Sequence, residues 1–256
     1  MGFNAHSCEA VRRGAAMLFE HRAYTLKPGA TNAFWQAQVD RGFDLVKPIL
    51  DRLVGYFSAC SGPADQVVHL YRYDSYEDWT TRLHGLYAVA ALEPYFKTVR
   101  ALMVAQENKF LAPAPLAELS PIWGGGNDWL PGQGRPAVAT SASGPDAVVE
   151  ETTAILFPGA MPLYWAAYRE HGLGTLDLGR ESLLGCFVSV VGRLHQVIHY
   201  RRYPSYVERQ AFIAAREQDS HWQAFQRAIG PLVASNETKL LRPAPIPLMS
   251  PLFELA

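Results

Sequence analysis

The chain has little cysteine and no surplus of charge of either sign. Three cysteines, Cys8, Cys60 and Cys186, occur in 256 residues, with no Cys-x-x-Cys spacing and no even set that would close a disulfide framework. That excludes a small disulfide-stapled domain and fits a reducing compartment, so a cytoplasmic location is expected, with Cys60 and Cys186 as buried free thiols. The formal net charge is -1, from 23 Lys and Arg against 24 Asp and Glu. Without clustered cations there is no electrostatic footprint for nucleic acid or an anionic membrane surface. No apolar run is long enough to predict a membrane span. No Gly-x-Ser-x-Gly elbow appears. His195 and His199 have the i, i+4 spacing of a helical metal pair, but they fall along a strand. At about 3.3 Å per residue they stand roughly 13 Å apart, so no metal site is predicted.

What the chain does have is apolar material, at 49% of its residues, and a repeat. Leu26-Lys-Pro-Gly-Ala30 matches Leu156-Phe-Pro-Gly-Ala160, an offset of 156 − 26 = 130. At the same offset Gln66 to Tyr76 falls on Gln196 to Tyr206, and Lys109 to Pro115 on Lys239 to Pro245. Several separated matches at one offset, without a gap, mark an internal duplication. The expected organisation is an N-terminal extension over 1–18, a first domain over 19–122, a Gly- and Pro-rich linker over 123–148 and a second domain over 149–256.

Both copies read in the same order. A strand near Glu20 to Lys27 meets a Pro-Gly turn, a helix carries Phe34 and Trp35, and strands follow at Leu53 to Ala59 and Gln66 to Tyr73. Ser75 with Asp78, mirrored by Ser205 with Glu208, forms a helix-starting capping box. A final strand around Lys109 to Ala112 ends at Pro113. This β-α-β-β-α-β order predicts an α+β protein of tandem ferredoxin-like units. A sheet with helices on one face needs cover on the other, so the two sheets are expected to face each other as a pseudo-dimeric α/β barrel.

The runs Arg22-Ala-Tyr-Thr-Leu-Lys-Pro-Gly29, Leu53-Val-Gly-Tyr-Phe57, Val67-Val-His-Leu-Tyr-Arg-Tyr73 and Asn108-Lys-Phe-Leu-Ala-Pro113 resemble the successive signatures of the NIPSNAP family. The resemblance is closer over Met17 to Pro121 than over Val149 to Pro251. It implies a dimeric α/β barrel, a superfamily that includes cofactor-free oxygenases, isomerases and haem proteins.

Candidate chemistry centres on His69 and His199, at equivalent places in the third strand of each copy. Alternation puts each on the same face as a tyrosine, Tyr73 and Tyr203. One reading makes the imidazole a general base, with the phenol binding a developing oxyanion, since the ordinary histidine pKa suits proton transfer near neutrality. The other makes both histidines buried and structural. Arg22 and Tyr24 are expected to bind substrate, together with Phe34, Trp35 and Trp165. Arg22 and Tyr24 have no counterpart in the second copy, where Thr152 and Ala154 stand, so a pocket using them is confined to the first half. Arg72 and Arg202 project from the opposite face, and Glu150 and Glu151 are read as solvated at a strand start.

The leading expectation is therefore an enzyme of cofactor-free oxygenase or isomerase type, acting on a small aromatic or apolar molecule without metal or cofactor. A non-catalytic ligand-binding or scaffold protein is the alternative. A haem enzyme or haem carrier is the third. A homo-oligomer is left open.

Overall fold

The computed structural model describes residues 17–134, 136, 144 and 146–253. Cys8, nearly all of the expected N-terminal extension and much of the later part of the expected linker lie outside the described residues. The first half runs β1 (Leu18–Leu26), α1 (Thr31–Arg41), α2 (Lys47–Leu50), β2 (Leu53–Ala59), β3 (Gln66–Tyr73), α3 (Tyr76–Tyr87), α4 (Glu93–Leu102) and β4 (Met103–Pro113). The second runs β5 (Val148–Leu156), α5 (Met161–Glu170), β6 (Leu183–Val191), β7 (Gln196–Tyr203), α6 (Tyr206–Gln218), α7 (Ser220–Ile229) and β8 (Val233–Pro243).

The local chemistry explains why the two halves fold alike. Gly29 and Gly159 take positive φ, 77° and 86°, in the turn after the first strand of each half, a conformation glycine adopts without steric cost. The Ser75 and Ser205 hydroxyls accept hydrogen bonds from the Asp78 and Glu208 amides, each at 3.2 Å, and so cap α3 and α6.

The strands close into one antiparallel barrel in the order β1-β3-β2-β8-β5-β7-β6-β4. Two short seams join the halves. Phe57 to Ala59 of β2 pair with Leu241 to Pro243 of β8, and Phe110 to Pro113 of β4 pair with Phe187 to Val191 of β6. Alternation along each strand then sorts side chains into separate cores. Phe19, Val68, Leu111, Phe187, Ile198 and Leu241 fill the barrel interior. On the outer faces, Tyr56, Val67 and Tyr71 meet the helices of the first half, while Ala154, Cys186 and Val197 meet those of the second.

Each half sends its tail across to the other. After β4, Leu116 and Leu119 join the helix layer of the second half, and after β8, Ile246 and Met249 join that of the first. The tails then turn inward. Trp123 packs on Phe187, and Phe253 packs on Phe57, at equivalent positions 130 residues apart. The segment expected as a linker thus begins inside the barrel core, where Trp123 and Trp129 are both buried.

Several expectations need correction. β4 starts at Met103, well before Lys109, because Val104 to Asn108 are exposed and carry no alternation to read. Cys60 is exposed, since it lies just past the end of β2, and only Cys186 is buried. Glu150 and Glu151 are buried rather than solvated. Glu150 is paired with Arg209 from α6. Glu151 lies in the barrel interior, where it accepts hydrogen bonds from His21 Nε2 at 2.9 Å and from the Tyr200 hydroxyl. Arg72 meets Asp74 and Asp128.

Candidate functional site

Each half has a cavity between the outer face of its sheet and its helices. In the first half the cavity measures about 110 Å³ and is bordered by Arg22, Tyr24, Phe34, Tyr56, His69 and Tyr71. In the second it measures about 250 Å³ and is bordered by Tyr164, Tyr168, His199, Arg201, Arg216 and Trp222. An apolar cavity of about 150 Å³ is known to hold benzene, so the second has room for one ring or two fused rings and the first is tighter than that.

The two histidines are held differently. His69 has both ring nitrogens engaged, Nε2 with the Tyr56 hydroxyl at 3.3 Å and Nδ1 with the Tyr71 hydroxyl at 3.2 Å. Tyr56 also stacks on the imidazole at 4.1 Å between ring centres. His199 has Nε2 engaged by the Tyr168 hydroxyl at 3.1 Å, and its Nδ1 has no hydrogen-bond partner among the described residues. His69 is buried, whereas His199 is partly accessible.

The substitutions between the copies account for this. At the position of Tyr71 the second half has Arg201, so the phenol that holds Nδ1 is gone and a guanidinium stands there instead. At the position of Tyr56 it has the smaller Cys186, and the phenol on Nε2 comes from Tyr168 of α5, where the first half has Gln38. The charge has moved as well. The first half carries Arg22 on β1, above the Tyr71 ring at 5.1 Å and 2.7 Å from Glu20. The second has Thr152 there and carries its arginine on β7.

Arg201 is anchored, its Nη1 donating to the Gly179 carbonyl at 3.0 Å and to Ser182 Oγ at 2.8 Å. Its guanidinium and that of Arg216 both lie over the Phe212 ring, at 5.1 and 5.4 Å, and Arg216 also covers Trp222 at 4.0 Å. Neither arginine makes an ion pair with a carboxylate among the described residues, although the charge of Glu150 reaches Arg216. The nearest border acid, Glu150, is taken by Arg209.

This surrounding overturns the expectation that the histidines titrate near neutrality. Burial, then the charges of Arg201 and Arg216, push His199 down to about 3. Burial, then Arg22 and His21, push His69 well below its usual value. Both are therefore neutral at pH 7.

Of the residues singled out in the sequence, Arg22, Tyr24, Phe34 and His69 come together at the first cavity and His199 stands at the second. Tyr73 is on the expected face but donates to Glu20 at 3.3 Å, away from the cavity. Tyr203 packs on Phe212. Trp35 and Trp165 belong to the helix-layer cores beside Phe34 and Tyr164. Sequence reading missed Tyr168, Arg201 and Arg216. The available signal was the set of positions where the copies differ, at Gln38 and Tyr168, Tyr71 and Arg201, and Leu86 and Arg216. Among the described residues, no group of three or more His, Cys, Asp or Glu is placed to hold a metal ion, and no helix is long and apolar enough to cross a membrane.

Comparison with the curated proteins gives no match. Among solved structures, a NIPSNAP family protein of Agrobacterium tumefaciens is 34% identical over 40% of this chain and 91% of its own, with a TM-score of 0.38. A putative monooxygenase of Lactobacillus acidophilus is similar over 90% of this chain and 94% of its own, at 9% identity and a TM-score of 0.58. An anthrone oxidase-like protein covers the same shares at 14% identity and a TM-score of 0.56. The last two likenesses concern the fold alone. The NIPSNAP family model matches twice, over residues 19–118 and 152–247. The chain therefore belongs to the NIPSNAP family and carries two copies of its domain in tandem.

Proposed function

We propose that the protein is a small-molecule enzyme whose working pocket lies in the second half, where His199 exchanges a proton with an aromatic or otherwise apolar molecule. The observation that carries this reading is the free Nδ1 of His199 at the larger cavity, against the fully engaged imidazole of His69. Tyr168 holds the ring through Nε2, the aromatic walls suit a flat ligand, and Arg201 can stabilise an oxyanion as it develops. Returning the proton at another carbon gives an isomerase. Capture of the carbanion by dioxygen gives cofactor-free oxygenation, the chemistry suggested by the names of the monooxygenase-like and anthrone oxidase-like neighbours.

In the first half we read His69 as structural, held between two phenols. We further read each half as a ferredoxin-like β-α-β-β-α-β unit and the barrel as a pseudo-dimer. The strand orders β4-β1-β3-β2 and β8-β5-β7-β6 support that reading, as do the exchanged tails.

The experiment is deuterium exchange into 2-tetralone, a two-ring ketone with acidic C–H bonds, followed by NMR. His199→Gln should slow the protein-catalysed exchange by about 10²–10⁴-fold while the melting temperature stays near that of the parent. An unchanged rate in His199→Gln, or a loss of rate confined to His69→Gln, overturns the proposal.

A further inference from the structure

The second-half cavity contains more positive charge than its histidine chemistry requires. Arg201 is 8% exposed and fixed through one nitrogen to Gly179 and Ser182. Arg216 reaches the same Phe212 ring from α6, and its Nε is buried without a hydrogen-bond partner among the described residues. Two guanidinium groups held against one ring repel each other, and burial adds to the cost of both charges. Folded proteins normally offset such a pair with a carboxylate. Here Glu150, the acid at the cavity border, is committed to Arg209 instead. The first half shows that the fold does not need the pair, because its equivalent positions hold Tyr71 and Leu86.

We infer that the second-half cavity is a binding site for a small aromatic carboxylate, its carboxylate received by Arg201 and Arg216 and its ring by Tyr164, Trp222 and Phe225. Planar guanidinium forks match a carboxylate in charge and shape. The cavity of about 250 Å³ sets the size of the ring system at one or two fused rings. The ligand's charge also acts on His199. Arg201 and Arg216 are among the causes that hold that imidazole neutral, and an anion between them offsets their field, so the ligand itself raises the basicity of the group beside it. This inference deepens the proposed function by naming the substrate class, but the binding event stands apart from any turnover.

The test is binding to the intact chain, followed by Trp fluorescence and by calorimetry, with 1-naphthoate compared with its neutral isostere 1-naphthamide. Arg216→Leu installs the residue the first half carries at the equivalent place, and Arg201→Tyr does the same for the other arginine. The parent protein is expected to bind naphthoate about tenfold or more tightly than the amide, and Arg216→Leu to abolish that preference while still binding the amide. Arg201→Tyr, if folded, is expected to do likewise. Equal affinity for acid and amide contradicts the inference. So does a preference that survives Arg216→Leu, or the absence of binding by either ligand at millimolar concentration. Displacement of naphthoate by inorganic phosphate at equal concentration would reduce the site to a general anion sink and also count against it. Failure of the proton-transfer proposal looks different, since naphthoate preference then remains while His199→Gln leaves tetralone exchange unchanged.

Discussion

His21 and Glu151 stand at equivalent positions of the two copies, 130 residues apart, and are hydrogen-bonded to each other at 2.9 Å inside the barrel. Two identical halves related by an axis would bring like residues together at such a place. Duplication removes that constraint, so one copy supplies an imidazole and the other a carboxylate. Against the cost of burial, His21, Lys239 at 3.8 Å and the Tyr200 hydroxyl hold the Glu151 carboxyl well below the usual carboxylate range.

Replacing Glu151 by Leu should therefore destabilise the protein by about 3–5 kcal/mol in urea unfolding, because His21 and Tyr200 lose their acceptor in a dry interior. The double variant with His21→Leu should cost less than the sum of the two single ones. A change within about 0.5 kcal/mol for Glu151→Leu contradicts this account of the pair.

Stability should also fall with acidity. His69 and His199 have folded pKa values below the unfolded value near 6.5. Below about pH 6.5 the unfolded chain binds protons that the folded chain refuses, so stability is full above that pH and declines as it drops toward the folded values. Each histidine contributes at most about 1.4 kcal/mol per pH unit in that window. Thermal melts between pH 8 and 5 should show the decline, and His69→Gln should flatten it. A melting temperature that rises on acidification would contradict the assignment.

The exchange of tails makes the halves interdependent. Trp123 packs on Phe187 of the other half and is almost wholly buried, so Trp123→Ala should cost about 3–5 kcal/mol. A protease site inserted between Gly134 and Asp146, once cut, should leave both fragments in one particle on gel filtration until denaturant is added. Fragments that part at once and remain folded would show two independent domains.

Much of the fold was legible because duplication doubled every signal. The repeat at 130, the Pro-Gly turns and the two serine caps each appear twice, and the spans of β2 and β3 follow from apolar runs bounded by turn residues. The early parts of β4 and β8 were not legible, since strands exposed to solvent show no period. Trp123 and Trp129 were hidden in a glycine-rich stretch whose burial depends on the closed barrel. At the site, the sequence singled out one strand position, His69 and His199, because the copies agree there, and each of these histidines borders a cavity. Through Arg22 and Tyr24 it favoured the first half. The case for the second half rests on Tyr168, Arg201 and Arg216, which lie on separate elements and meet only once the fold brings them to one cavity.

The two imidazoles differ in freedom. Acylation by diethyl pyrocarbonate at pH 7, mapped by peptide mass spectrometry, measures this without any ligand being known. His199, neutral and with Nδ1 unengaged, is expected to be modified in a phase complete before His69 begins to react, and 1-naphthoate is expected to slow that phase. Equal rates at the two residues, or faster modification of His69, would contradict it.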